Sequence, residues 1–404
     1  MKIGIIREGK QPVDRRVPLT PEQASNINET YKNVEVVCQT SDIRCYTDDE
    51  YRNAGVSVVD KVDDCDVLMG VKEVPIDDLI PGKTYFFFSH TIKEQPYNRE
   101  LLRTIINRNI RLIDYEVLTN DEGQRVVAFG RYAGLVGAYN ALYTYGERYN
   151  AFHLKRAYRC FDLKEMLEEL KKVKLPPVKI ALTGGGRVAK GAMEVLNAVP
   201  IRKVTPDRFL HQQYNEAVYV QLNTRDYHRP KEGGEFIRKE FYQHPERFEG
   251  TFLPYAQEAD ILIAGAFWDP GAPVLFKREE MLDGAFRLRI IADITCDIEG
   301  SIPSTKKPST IEDPVYDYEP TGDEVNAPYS DEGNISVMAV DNLPCELPRD
   351  ASEDFGHEIL NHVIPALLSG GKEGMIERAT ITKNGKLSEQ FSYLKGYIEG
   401  KSGN

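Results

Sequence analysis

The sequence is poor in cysteine. Six cysteines in 404 residues, none in a C-x-x-C pair, leave no disulfide framework, zinc motif or redox motif. Long apolar runs are missing as well. The longest, near Ile261–Trp268, is the size of a strand, and nothing approaches a membrane span. The N-terminus Met1-Lys2-Ile3-Gly4-Ile5-Ile6-Arg7 meets a second charge almost at once and has no secretory apolar core. Positive charge is in deficit: 51 Lys and Arg stand against 63 Asp and Glu, a net charge of −12. Phosphate backbones and anionic membranes need a basic surface, so neither nucleic acid nor a membrane is an expected partner. The 31 Gly and 23 Pro are near ordinary usage and show no period, which excludes collagen-like and low-complexity chains. A soluble cytoplasmic protein is expected.

What is present is enough apolar material for real cores, 41% of the chain. At roughly 150 residues per domain the length predicts two or three domains. Strand-sized apolar runs at Lys2–Arg7, Val34–Cys38, Val67–Val71, Thr84–Phe88 and Arg111–Asp114 alternate with helical stretches at Pro21–Tyr31, Asp48–Ala54 and Asn98–Asn109. Such alternation predicts βαβ units around a parallel sheet. A helix over Gly134–Tyr149 leads into a second α/β region with strands at Val178–Thr183, Ile261–Ala264, Ile290–Ile294 and Ile335–Val340. Gln221–Gly250, polar and charged, is expected to be an insertion or long surface loop. Asp350–Leu368 reads as a helix that returns to the first region, and Leu387–Ile398 as a short amphipathic helix before a loose Gly-Lys-Ser-Gly-Asn tail. The expected architecture is α/β: two doubly wound, Rossmann-like domains with the active site in the cleft between them. Residues 1–134 with 350–404 are expected to form one domain and 135–349 the other.

Gly184-Gly185-Gly186-Arg187-Val188-Ala189 fits G-x-G-x-x-A between a predicted strand and a predicted helix, Val188–Leu196. Gly184 permits a tight turn, Gly186 lets backbone approach a pyrophosphate, Ala189 permits close helix–strand packing, and the helix start favours the anion. NAD or NADP is therefore the expected cofactor. Asp207 lies 21 residues past Gly186, where an acid would hold the ribose 2′-hydroxyl of NAD. Arg202, Lys203 and Arg208 crowd the same stretch and suit the 2′-phosphate of NADP, while Asp207 after Pro206 also suits a helix start.

In the first region Lys72 and Glu73, His90, and Glu116 each follow a predicted strand. Ligands of open α/β sheets bind beyond the carboxyl ends of the strands, so these four are placed to share one rim. Lys and His there can divide proton-transfer work near neutral pH.

Several ordered segments resemble the lysine-forming saccharopine dehydrogenases and the lysine–ketoglutarate reductase domains of bifunctional lysine-degrading enzymes, within the alanine dehydrogenase and transhydrogenase superfamily. They are Arg15-Arg16-Val17-Pro18-Leu19-Thr20-Pro21, Gly70–Pro75, Phe88–Lys93, Asp114-Tyr115-Glu116, Val127–Gly134, Ala292–Ile302, Val340–Pro344 and Leu347-Pro348-Arg349. The resemblance covers nearly the whole chain. It implies nicotinamide-dependent interconversion of saccharopine with L-lysine and 2-oxoglutarate. On the matching positions, Lys72 and His90 fall on the acid–base pair. Arg16, Lys93 and Arg125 fall on groups that bind substrate carboxylates, Glu73 and Glu116 lie near the amino groups, and Asp297 resembles the aspartate beside the nicotinamide. Three departures bear on substrate. Gln11 stands where lysine-forming members carry a basic residue, with Lys10 adjacent. Arg131 replaces an aromatic residue of some relatives, and the Gln221–Gly250 insertion is long. The sequence ends at Asn404, with no second catalytic domain of the bifunctional kind expected. Alternatives are an alanine or other opine-type amino-acid dehydrogenase, and a non-catalytic nucleotide-binding subunit. A three-carboxylate product needs about three basic anchors and alanine about one, which favours the larger substrate.

Overall fold

The structure is a computed structural model and describes residues 1–369 and 374–400. The chain divides into two compact units, Met1–Phe129 with Pro348–Asn404, and Gly130–Leu347.

The first unit is built on six parallel strands: β1 (Lys2–Ile5), β2 (Glu35–Gln39), β3 (Ser57–Val59), β4 (Val67–Met69), β5 (Thr84–Phe87) and β6 (Arg111–Asp114). Their spatial order, β3-β2-β1-β4-β5-β6, is the doubly wound order 3-2-1-4-5-6. Two antiparallel strands, Thr380–Lys383 and Lys386–Leu387, extend the β6 edge. The crossover helices start where their caps dictate. Thr20 and Gln23 form a capping box at Pro21–Thr30, and Thr47 with Glu50 does the same at Asp48–Asn53. One apolar core lies on each face of the sheet. Ile3, Met69, Phe86 and Ile113 belong to one, and Leu68, Tyr85, Phe87 and Leu112 to the other. Adjacent residues therefore point to opposite cores, which is why these strands are apolar throughout rather than alternating.

The second unit begins with the helix Gly130–Arg148. Its sheet contains β7 (Lys179–Thr183), β8 (Arg202–Val204), β9 (Val218–Leu222), β12 (Ile261–Ala264), β13 (Ile290–Asp293), β14 (Val315–Glu319), β15 (Glu324–Asn326) and β16 (Ile335–Met338). A separate hairpin-like pair is formed by β10 (His228–Pro230) and β11 (Phe248–Gly250). The large sheet runs β8-β9-β7-β12-β13-β16-β14-β15, parallel except at the last two strands. Gly134 and Gly191 allow the helices Gly130–Arg148 and Arg187–Ala198 to cross closely. A Cβ on Gly134 would meet the Val188 carbonyl, and one on Gly191 the Arg131 carbonyl.

Two expectations change, and one strand was not foreseen. Residues 221–250 are not a loop: they finish β9, make the β10–β11 pair and fold a helix at Arg238–Gln243. The edge strand Thr380–Lys383 was hidden by its polar Thr-Ile-Thr-Lys sequence. The predicted helix Leu387–Ile398 is reduced to Leu394–Glu399, because Lys386–Leu387 is taken into the sheet. Residues 401–404 of the expected loose tail lie outside the described residues. Among the described residues no helix is long and apolar enough to cross a membrane.

Candidate functional site

Parallel pairing puts the carboxyl ends of β1, β4, β5 and β6 along one edge, and each delivers polar side chains there. Lys72 and Glu73 follow β4, His90 and Lys93 follow β5, and Glu116 follows β6. The turn after β4 is held by the buried Glu8, whose carboxylate accepts the backbone N–H of Val71 at 2.6 Å and of Lys72 at 2.9 Å. His90 has a left-handed backbone, φ 53°. Its Nδ1 lies 2.5 Å from Glu73 Oε1, and the Lys10 ammonium lies 2.5 Å from Glu73 Oε2. Nδ1–H donating to the carboxylate leaves Nε2 for other chemistry.

The Asp14–Arg16 pair is buried, with Nη2–Oδ2 at 2.6 Å and Nε–Oδ1 at 3.0 Å. The Arg16 guanidinium also lies 4.1 Å from the centre of the Phe129 ring. Phe129 packs on Phe88, which carries Arg125 over its face at 5.3 Å and lies parallel to the His90 ring. Lys93 and Arg125 both face Glu116, at 3.6 and 3.8 Å from Oε1, and Glu116 Oε2 is buried without a hydrogen-bond partner. The structure thus gathers Lys72, Glu73, His90, Arg16, Lys93, Glu116 and Arg125 on one end of one sheet, tied by an aromatic platform.

Ionisation follows from this packing. Burial pulls the Lys72 ammonium below its ordinary value. The Arg16 charge pushes the same way, Lys10 adds to it, and Asp14 opposes it. Burial works against the Glu73 carboxylate, but the His90 hydrogen bond, the His90 charge and Lys10 outweigh it and bring it down to about 2. Burial likewise opposes the Asp14 carboxylate, yet Arg16 holds it well below the usual range. Glu8, with burial and Asp14 against it, is pushed up to about 8.

Sequence reasoning missed the framework around these groups. Asp114, at the end of β6, accepts from Ser89 N at 2.9 Å, Ser89 Oγ at 2.5 Å and Glu116 N at 2.8 Å. It fixes the His90 and Glu116 turns to each other. A lone Asp closing an apolar strand before Tyr-Glu was the only signal.

The glycine-rich loop lies in the second unit. Gly184 has φ +104°, which favours glycine, and a Cβ on Gly185 would lie 2.6 Å from Asn223 Oδ1. A Cβ on Gly186 would meet nothing within 4 Å, so that face is open. Gly186 starts the helix Arg187–Ala198, and Ala189 is fully buried against the sheet. Gly184, Gly186, Arg187 and Val188 line a cavity of about 650 Å³, closed on the other sides by Asn223–Arg225, Gly265–Phe267 and residues of the 221–250 segment. The open glycine face and the helix start fit the pyrophosphate of a dinucleotide.

Asp207 does not belong to this cavity. It lies in the first turn of the helix Pro206–His211, 86% exposed and 3.3 Å from His211 Nδ1. The reason is topological: β8 is the outer edge of the sheet, and β9, not β8, pairs with β7. The residues past the neighbouring strand are Asn223, Thr224 and Arg225. Asp297 lies in the exposed loop that follows β13.

The comparisons with known proteins bear on the fold. Residues 4–136 match the family model "Alanine dehydrogenase/PNT, N-terminal domain". An L-alanine dehydrogenase structure superposes over 100% of both chains with a TM-score of 0.66 at 17% identity. A transhydrogenase from Sinorhizobium meliloti superposes over 96% of this chain and 98% of its own with a TM-score of 0.58 at 15% identity. The fold is thus a two-unit α/β fold like that of alanine dehydrogenase. In sequence the chain is 30% identical to the mitochondrial alpha-aminoadipic semialdehyde synthase of Mus musculus, over 98% of this chain and 48% of that protein. It is 28% identical to the saccharopine dehydrogenase [NAD(+), L-lysine-forming] of Emericella nidulans, over 90% of both. The chain is thus similar over most of its length to a saccharopine dehydrogenase and to semialdehyde synthases. It spans about half the length of the semialdehyde synthases it matches, 48% of the mouse protein and 41% of the Arabidopsis thaliana one.

Proposed function

We propose that the protein is a nicotinamide-dependent oxidoreductase acting on a CH–NH bond, a saccharopine dehydrogenase that interconverts saccharopine with L-lysine and 2-oxoglutarate. The observation that carries this is the group at the β4–β5–β6 edge: Lys72 and a Glu73-oriented His90 beside three cations, Arg16, Lys93 and Arg125. The family's relatives add support.

The geometry and the family resemblance support the following roles. When bound, the nicotinamide supplies or accepts the hydride. Lys72 Nζ, drawn toward neutral pH, takes and returns the protons that imine formation and hydrolysis require. Glu73 fixes the His90 ring, leaving Nε2 as the second proton-transfer atom. Saccharopine has three carboxylates, and Arg16, Lys93 and Arg125 match them in number and charge. Glu73 and Glu116 face the amino groups. The Gly184–Ala189 loop holds the cofactor pyrophosphate, and Asp297 approaches the nicotinamide. Lys10, on Glu73, supplies the positive charge that Gln11 lacks.

The test is oxidation of NADH and of NADPH by the purified protein, with lysine plus 2-oxoglutarate or with ammonia plus pyruvate. Turnover restricted to lysine and 2-oxoglutarate is expected. Turnover with ammonia and pyruvate alone would refute the saccharopine assignment and make the protein an alanine dehydrogenase.

A further inference from the structure

Lys72 is held differently from His90. Glu73 ties the His90 ring at Nδ1. Among the described residues nothing makes a hydrogen bond or ion pair with Lys72 Nζ, so the aim of the ammonium depends on its backbone. That backbone has its own support. The main-chain ladder between β1 and β4 ends where the Ile6 N–H donates to the Met69 carbonyl at 3.0 Å. Beyond it the N–H groups of Val71 and Lys72 donate to the Glu8 side chain instead, at 2.6 and 2.9 Å. We propose that Glu8 is the positioning residue of Lys72: its buried carboxyl continues the strand ladder and fixes where Lys72 Nζ meets the substrate. This rests on the proton-transfer role proposed for Lys72, and it adds a residue outside the acid–base pair and the substrate-binding cations.

The support is dry and crowded. Glu8 is 8% exposed, and a Cβ on Gly70 would lie 3.2 Å from its Oε1 and 2.9 Å from Ile6 Cδ1. Glycine at this position is what lets the carboxyl lie against the turn. The Phe88 N–H donates to the Val71 carbonyl at 3.0 Å, so the turn is gripped from the β1 segment and from the β5 segment. The charged and titratable groups around Glu8 are Asp14 and Arg16 on its own segment, Lys72 on the β4 turn and Tyr115 after β6. Burial first, and then Asp14, push the carboxyl up to about 8 against the two N–H groups and Arg16. At neutral pH Glu8 therefore accepts both N–H groups without placing a further negative charge beside an ammonium that burial and Arg16 draw down. An ionised acid there would favour the ammonium and work against proton uptake. Position matters at least as much as charge, because a displacement of about 1 Å at a reacting group can cost about 100-fold in rate.

The test pairs steady-state kinetics of the full chain with acetic anhydride labelling of Lys72 from about pH 6 to about pH 11, read by peptide mass spectrometry without substrate. Glu8→Gln keeps the volume but turns an amide NH₂ toward one of the two N–H donors. It should lower kcat by about 10- to 100-fold and leave the KM for lysine within about threefold. It should also move the labelling of Lys72 from its depressed titration back toward the ordinary value of about 10.4. Glu8→Asp, which keeps both acceptor oxygens on a shorter arm, should lie between the native protein and Glu8→Gln in both readouts. An unchanged kcat in Glu8→Gln, or a Lys72 titration that does not move, would overturn the proposal. A lowered melting temperature with both readouts unchanged would do the same, since it would make Glu8 a structural residue only. If Glu8→Gln does not fold, the same two readouts on Glu8→Asp decide. Should the protein turn over ammonia and pyruvate in place of lysine and 2-oxoglutarate, a shifted Lys72 titration with a lowered kcat would support the positioning role and refute the saccharopine assignment alone. With no turnover of either pair, the Lys72 titration alone decides.

Discussion

Replacing Glu73 by Gln keeps the shape of the side chain and removes its charge. Glu73 is 7% exposed, contacts His90 Nδ1 and Lys10 Nζ at 2.5 Å each, and ionises at about 2 instead of 4.5. That gap corresponds to roughly 3 kcal/mol in favour of the ionised form in the folded protein. A depressed acid contributes this stability in full above its unfolded value of 4.5 and loses it as the pH falls through about 2. The Glu73→Gln variant should accordingly be less stable than the native protein by roughly 2 to 3 kcal/mol at neutral pH. At about pH 3.5 the unfolded chain has taken up its proton and the folded one has not, so the deficit should shrink by about 1 kcal/mol. The assay is urea unfolding at both pH values, read by hydrogen exchange of peptides covering residues 64–92. The single tryptophan, Trp268, lies in the other unit, so its fluorescence midpoint serves as an internal control. A deficit that stays constant or grows on acidification would refute the account of Glu73 as an ionised buried partner of His90 and Lys10.

Further outcomes follow from the same geometry. If Lys72 carries the proposed proton transfer, Lys72→Met should lower kcat by about 100-fold or more while binding of the reduced nicotinamide cofactor stays within about twofold. On its proposed role in binding a substrate carboxylate, Arg125→Ala should raise the KM for 2-oxoglutarate more than it lowers kcat; a kcat loss with unchanged KM would contradict that role. Gly191→Ala should lower the urea midpoint of the Trp268 signal, because its Cβ meets the Arg131 backbone where two helices cross, at a cost of about 1 to 3 kcal/mol.

Much of the first unit was legible in the sequence because its strands are buried on both faces. Val67–Met69 and Arg111–Asp114 read as short apolar runs, and their polar successors had only one edge to occupy. The helix starts were legible because Thr20 and Thr47 carry their capping partners three residues on. The placement of Asp114 was not legible, since its three donors come from two separate turns, at Ser89 and Glu116, that meet only once β5 and β6 pair. The strand Thr380–Lys383 escaped for the opposite reason. Its threonines form hydrogen bonds with Ile376 and Ile110 carbonyls, so polar side chains are satisfied inside a buried strand.

Asp207 shows why a motif's spacing is weaker evidence than its pairing. Counting about 20 residues past the last motif glycine assumes that the next strand in sequence is also the next strand in the sheet. In this chain β8 and the helix Pro206–His211 intervene first, and the strand order becomes β8-β9-β7. The count then ends on an exposed helix, while the strand beside the glycine-loop strand ends before Asn223, Thr224 and Arg225. The consequence is chemical and not only topological. At the counted position stands an acid and at the paired position an arginine, Arg225, and only the second lines the cavity.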